Sequence, residues 1–189
     1  VRPEWRARAL DFESYLAKAD MNVPTMRENF RDTRIPDGDR AYFDDLSGRL
    51  SPGQVTVLAL SESWCGDCVE NLPVIAKVAS LYPFMDLLIF PRDINLDIMD
   101  EYLTDGKRTI PVFVFYDESG EEIGRFVERP PAAHEFIRAR KEALAGLPDE
   151  EQKKGIYKAR IDLRKLYKEG LRDDTIGMIR EILEKRYGS

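Results

Sequence analysis

The chain has two cysteines, and they stand two residues apart in Ser61-Glu62-Ser63-Trp64-Cys65-Gly66-Asp67-Cys68. This spacing serves two chemistries. Disulfide exchange needs a thiolate that attacks and a second thiol close enough to release the mixed disulfide, and a two-residue spacer supplies both. Metal binding uses the same pair, but a closed zinc site takes about four Cys or His ligands. The remaining candidate is His134, the single histidine, which follows Pro130-Pro131 far along the chain. A metal or an iron–sulfur cluster would therefore need two chains, each giving Cys65 and Cys68. Within one chain the pair reads as a redox dithiol.

The elements that must position this pair are visible on either side of it. Residues 55–60, VTVLAL, are a run that is apolar but for the β-branched Thr56 and is bounded by turn residues, the pattern of a buried parallel strand. From Gly66 onward Val69, Leu72, Ala76 and Ala79 recur at three and four, so a helix is predicted to begin at the cysteines. Residues 86–90 read as a second buried strand, and 95–106 as a helix ending near Gly106. Residues 112–116 and 122–127 read as strands joined by the hairpin residues DESGE. Pro130-Pro131 opens a predicted helix over 132–144, which stops at Gly146 and Pro148. The predicted core is βαβαββα.

That order gives the two thiols different settings. Cys65 falls at a helix N-terminus, where unpaired N–H groups and the macrodipole favour a thiolate, and Cys68 lies one turn in, as the resolving thiol. Gly66 would let the backbone turn tightly into the helix. Trp64 presents a flat apolar face that suits either core packing or a substrate. Asp67 admits two readings as well: a carboxylate in a first turn stabilises the helix, and a charge beside Cys65 disfavours its thiolate.

The motif WCGDC, Pro73 after it, Ile110-Pro111 before a strand, and the Ser119-Gly120 hairpin together make residues 50–146 resemble the thioredoxin superfamily. The match is nearest to a bacterial thioredoxin-like family with Cys-Gly-Asp-Cys in place of Cys-Gly-Pro-Cys. RDINLD, IPVFVF and ERP also resemble that family. The resemblance implies an α/β thioredoxin-like fold with a central mixed sheet flanked by helices. It implies a cis proline at Pro111 opposite the cysteines, with Ile110 offering its backbone to an extended substrate. By itself, Pro111 could equally well only start a strand. Trp64, Gly66, Asp67, Ile110 and Pro111 are thus the expected substrate-binding residues around the catalytic Cys65 and Cys68. One departure stands out: the buried carboxylate that the family carries before its motif corresponds to Ala59. Glu62, Glu70, Arg92 and Asp93 lie in segments that can approach the cysteines.

Composition sets the remaining bounds. The chain has 189 residues, 43% of them hydrophobic, enough for one sizeable core. A net charge of −6 argues against nucleic acid as a partner, and no apolar run is long enough to span a bilayer. A leader preceding Val1 would leave no trace here. Two cysteines in one motif, with none for structural bridges, suit a reducing cytoplasm. The expected division is a helical segment over 1–50 packed on the core, a thioredoxin-like domain over 51–146 and a helical extension over 147–189. The extensions show amphipathic stripes, broken near Gly170, whose simplest use is packing.

The expected function is thiol–disulfide oxidoreductase, in the service of cell redox homeostasis. It would use no cofactor and would act on a disulfide-bearing protein or a small thiol, with an unidentified reductant upstream. The alternatives are an adaptor module without enzymatic activity and the dimeric metal or iron–sulfur binder.

Overall fold

The computed structural model describes residues 1–188. Four strands form its central sheet: β1 (Val55–Ser61), β2 (Met85–Pro91), β3 (Val112–Tyr116) and β4 (Glu122–Val127), in the spatial order β2-β1-β3-β4. β1 pairs parallel with β2 and antiparallel with β3, and β3 pairs antiparallel with β4, so the sheet is mixed. The hairpin between β3 and β4 is folded by one carboxylate. Asp117 accepts hydrogen bonds from the Ser119 N–H, the Ser119 hydroxyl and the Glu121 N–H.

Side chains alternate across the strands and divide the interior in two. Val55, Val57, Ala59, Phe113 and Phe115 face one core, whereas Leu58, Leu60, Val112 and Val114 face the other. Over the first face lie α2 (Phe12–Lys18), α3 (Val23–Asp32), α4 (Asp37–Arg49), α5 (Gly66–Leu81) and α9 (Arg172–Tyr187). The second face is covered by Trp5 of the short α1 (Pro3–Arg6) and by Ile98 and Met99 of α6 (Leu96–Met99). Between α1 and α2, Leu10 exchanges two backbone hydrogen bonds with Ile89, which pairs part of the open edge of β2. The helix predicted over 95–106 is only α6. After it, Asp105 and Gly106 both take positive φ, at 50° and 71°, and turn the chain back toward β3.

A proline sits inside the helix that carries the cysteines, and the fold compensates for it. Pro73 has no N–H to give to the carbonyl of Val69. The buried Asn29 of α3 donates to that carbonyl instead, at 2.9 Å. The same side chain also donates to Glu70 at 3.1 Å and accepts from Arg172, so it ties α3, α5 and α9 together.

The boundary expected at residue 146 does not match where the packing closes. α7 (Pro131–Leu144) has the predicted span, but it packs on α8 (Asp149–Leu166) around a separate small core of Ala133, Ile137, Ala159, Leu163 and Tyr167. Gly155 permits the close approach: a Cβ there would stand 2.5 Å from Leu144 Cδ2. The chain then passes a wide turn over Tyr167–Leu171, where Gly170 has φ 151°, and enters α9. Ile176, Ile179, Ile182 and Leu183 of α9 are fully or almost fully buried in the main core with α5 and β4. The helix that completes the sheet's first face is therefore α9, from the segment expected to be an extension. α7 and α8 form an interposed pair beside the N-terminus of α5. Among the described residues no helix is long and apolar enough to cross a membrane.

Candidate functional site

β1 ends at Ser61, and a short turn delivers Cys65 to the N-cap of α5 in extended conformation (φ −83°, ψ 120°). The following turn of helix carries Cys68 inward. Both cysteines are free thiols: Cys65 is partly exposed and Cys68 is fully buried. Opposite them runs the segment before β3, whose Ile110–Pro111 peptide bond is cis. Cys65 Sγ lies 3.7 Å from the Ile110 carbonyl oxygen. The Glu62 N–H donates to Cys68 Sγ at 3.5 Å.

These settings push the two thiols in opposite directions. Hydrogen bonding from Cys68 is the main cause that lowers the pKa of Cys65, aided by the backbone N–H groups of Cys68 and Asp67; burial and the charge of Asp67 oppose it. Burial drives Cys68 well above the usual thiol value, and its contacts with Cys65 add to this. The neighbouring Ser61 hydroxyl pulls the other way. Ser61 is itself buried and lies 3.3 Å from the Tyr15 hydroxyl, so a short chain of buried hydroxyls leads from α2 to the inner sulfur. Ala59, where a carboxylate would stand by resemblance, is a fully buried core residue. The polar neighbour of Cys68 comes two residues later, on the same face of β1.

Asp67 has a partner that the sequence did not reveal. Arg129, just beyond β4, grips its carboxylate with two hydrogen bonds of 3.1 and 2.6 Å, and both side chains are more than four-fifths buried. Glu128 aims this arginine by taking left-handed backbone, φ 61°, an uncommon state for a residue with a side chain. Its N–H donates to the Pro111 carbonyl at 2.8 Å, and its carbonyl accepts from Asn71 at 3.2 Å. Asn71, fully buried in α5, also donates to the Asp67 carbonyl and the Tyr167 hydroxyl and accepts from Thr175. One amide thus holds the first turn of α5, the end of β4 and the C-terminal helices in register.

The Asp67–Arg129 pair makes a two-sided prediction. Asp67→Asn removes the nearer negative charge and leaves Arg129 unopposed, and both changes favour the thiolate. The pKa of Cys65 is expected to fall. Arg129→Gln strips Asp67 of its counterion, so the pKa is expected to rise. Thiolate ultraviolet absorbance followed against pH reads both variants, and shifts of the same sign would contradict a charge effect.

Of the other expected residues, some gather beside the cysteines and some do not. Trp64 is 47% exposed, donates from its indole N–H to Asp93 at 3.2 Å, and carries the Arg92 guanidinium over its ring at 4.9 Å. Glu62 accepts from the Asp93 N–H at 2.7 Å, and burial raises the pKa of its carboxyl. Glu62, Arg92 and Asp93 therefore cluster beside Trp64. Glu70 is engaged in the buried contact with Asn29 and Arg172. Gly66 does not serve a tight turn. It is an ordinary helical residue, and a Cβ on it would meet only Arg164 Nη2, at 3.7 Å. His134, on α7, approaches Glu128 at 4.0 Å. Among the described residues no group of three or more His, Cys, Asp or Glu side chains is arranged to hold a metal ion.

α7 and α8 stand across from the Trp64–Cys65 loop and the Thr109–Ile110 segment, and between them lies a cleft of about 1240 Å³. Cys65 opens into it. Arg129, Arg164 and Tyr167 continue its wall from the motif toward α8. The sequence carried a weak signal for Ser61 and none for Arg129. Alternation along β1 places Ser61 on the face of Ala59, whereas nothing local links Arg129 to a carboxylate 62 residues earlier.

Known proteins resemble this chain at three levels. A protein from Oryza sativa subsp. japonica named thioredoxin O, mitochondrial, is 38% identical over 65 residues, which cover 32% of this chain and 36% of that protein. The chain thus spans about a third of that relative's length. A crystal structure of an HIV epitope-scaffold superposes with a TM-score of 0.67 at 21% identity, covering 96% of both chains. A Pseudomonas aeruginosa protein described as of unknown function superposes with a TM-score of 0.64 at 23% identity, covering 96% of this chain and 95% of that one. These two similarities concern the fold, and they extend to the flanking helices as well as the sheet. A family model described as thioredoxin matches residues 9–144, more than half of the chain, including the Cys65–Cys68 motif and the Ile110–Pro111 bond. On the strength of that match, this chain belongs to the thioredoxin family.

Proposed function

We propose that this protein is a thiol–disulfide oxidoreductase in which Cys65 attacks a substrate disulfide and Cys68 resolves the intermediate. The observation that carries this reading is the asymmetry of the two thiols at one helix terminus: the outer one is accessible and acidified, and the inner one is buried and held protonated. The Cys65 thiolate displaces one sulfur of the substrate, which leaves as a thiolate and takes up a proton. Cys68 then loses its proton and attacks Cys65 Sγ, which frees the second substrate thiol. Two electrons have passed from the dithiol to the substrate, and the protein carries a Cys65–Cys68 disulfide. A dithiol donor returns it to the starting state.

In this reading Trp64, Ile110 and Pro111 border the approach to Cys65, and the Ile110 backbone meets an extended substrate segment. Ser61, with Tyr15 behind it, steadies negative charge on Cys68 during the second step, in place of a buried carboxylate. The substrate is a disulfide in a protein or a small molecule, and a reducing compartment suits the chemistry. Insulin reduction by dithiothreitol is the test. Catalytic amounts of the protein are expected to hasten precipitation of the insulin B chain. A rate equal to that of dithiothreitol alone would refute the enzymatic reading and favour an adaptor.

A further inference from the structure

Every carboxylate that lines the cleft over Cys65 has a cationic partner. Asp67 and Glu128 pair with Arg129, Glu70 with Arg172, and Glu135 and Glu142 with Arg138. Three of the cleft's cations have no such partner. Lys141 of α7 and Arg160 and Arg164 of α8 line the same space, and among the described residues none of them makes a side-chain hydrogen bond or ion pair. The helix itself does not neutralise the arginines. The neighbours of Arg160 at three and four residues are Ile156, Tyr157, Leu163 and Arg164, and those of Arg164 include Lys168 but no acid. Arg164 reaches the motif, since its Nη2 is the atom that a Cβ on Gly66 would meet. Burial raises the pKa of Glu70 and the charges of Arg172 and Arg164 oppose that, but the ion pair of this carboxylate is with Arg172. In a chain of net charge −6, unpaired positive charge is gathered beside the accessible thiol.

The cleft's dimensions suggest the kind of anion. Its volume of about 1240 Å³ exceeds the ~300–1,000 Å³ usual for small-molecule sites. Its wall runs along α8 from Ile156 and on to Tyr167, the first residue past that helix, about 16 Å at the helical rise. An extended peptide of about five residues spans that length. Tyr157 and Ile161, 68% and 41% exposed, offer apolar surface along the way.

We propose that this cleft selects an extended polypeptide segment bearing carboxylates beside its disulfide cysteine. The proposal rests on the redox reading above and names its substrate class. The segment lies along α8 with its cysteine at Cys65, and its carboxylates meet Lys141, Arg160 and Arg164.

The test uses synthetic nonapeptides whose single cysteine is carried as a 2-pyridyl disulfide, flanked by Glu, Gln or Lys. Attack by Cys65 on the peptide sulfur releases 2-thiopyridone, which is read by absorbance. The Glu peptide is expected to react about tenfold faster than the Gln peptide at low salt, with the Lys peptide slowest and the differences shrinking as salt is added. The triple variant Lys141→Gln, Arg160→Gln, Arg164→Gln is expected to bring the Glu-to-Gln ratio to about one. Equal rates for the three peptides with the unmodified protein, or a ratio unchanged in the triple variant, would overturn the proposal. A Glu-Cys dipeptide 2-pyridyl disulfide that shows the full preference over Gln-Cys would overturn the extended segment in favour of a small anionic disulfide. Peptides with Ser in place of Cys separate this proposal from the redox reading. If the Glu form binds more tightly yet no cysteine peptide reacts, the cleft stands and the enzymatic reading falls. If the Gln and Glu peptides react at one rate, the reverse holds.

Discussion

Cys65→Ser is expected to abolish disulfide reduction, leaving no rate above that of the reducing agent alone, whereas Cys68→Ser should still attack and then stall as a mixed disulfide. The difference follows from access and acidity together. Cys65 is the N-cap of α5 with its pKa lowered, so a larger share of it is thiolate at neutral pH than of an ordinary cysteine. Cys68 has no exposed surface and a raised pKa, so it reacts only with a sulfur already delivered to Cys65. Limiting iodoacetamide, followed by mass spectrometry, should label Cys65 first in the reduced protein. Because its pKa is lowered, the labelling rate should approach its plateau at lower pH than that of a free cysteine. Preferential labelling of Cys68 would reverse the assigned roles. The Cys68→Ser protein is also the natural trap for substrates.

Removing residues 149–189 is expected to abolish cooperative unfolding and activity together. Four apolar side chains of α9 lie in the main core. At about 1.5–3 kcal/mol for each such side chain buried, their loss removes about 6–12 kcal/mol, comparable with the whole net stability of a typical domain, about 5–15 kcal/mol. The same cut takes away Arg172 and Thr175, leaving the buried Asn29, Glu70 and Asn71 short of partners. Ile179→Ala gives a graded version. Loss of a buried isoleucine costs about 2–5 kcal/mol, which lowers the melting temperature by roughly 4–20 °C in a chain of this size. A truncated protein that melts cooperatively and still reduces disulfides would show that the sheet needs no cover from α9.

The strands and the cysteine helix were legible because their signals are local. The run VTVLAL is apolar but for Thr56 because β1 is buried on both faces, between β2 and β3. The DESGE hairpin was legible because Asp117 makes its turn with residues two and four ahead. α7 and α9 were also legible as helices, but an amphipathic stripe says only that a face is buried, not against what. The segment over 132–144 follows β4 directly and so looked like the closing helix. α9, whose isoleucines fit the same description, holds that place. The thiols' environment was half legible. Helix position predicted one outer and one buried sulfur, but Arg129 and Arg164 reach the motif from far along the chain, and no spacing rule connects such residues.

The late position of α9 also bears on how the protein is made. A ribosome completes all four strands and the cysteine helix before it makes the helix that covers them. Until α9 emerges, the apolar sides of α5 and β4 that it will cover have no partner, and Asn71 lacks the hydroxyl groups of Tyr167 and Thr175. Early, N-terminal-first folding cannot finish this domain, and its nascent form exposes an apolar surface until α9 has been made. The dithiol exists from the moment residue 68 is joined, but its final surroundings wait for Tyr167 and Thr175 to be made.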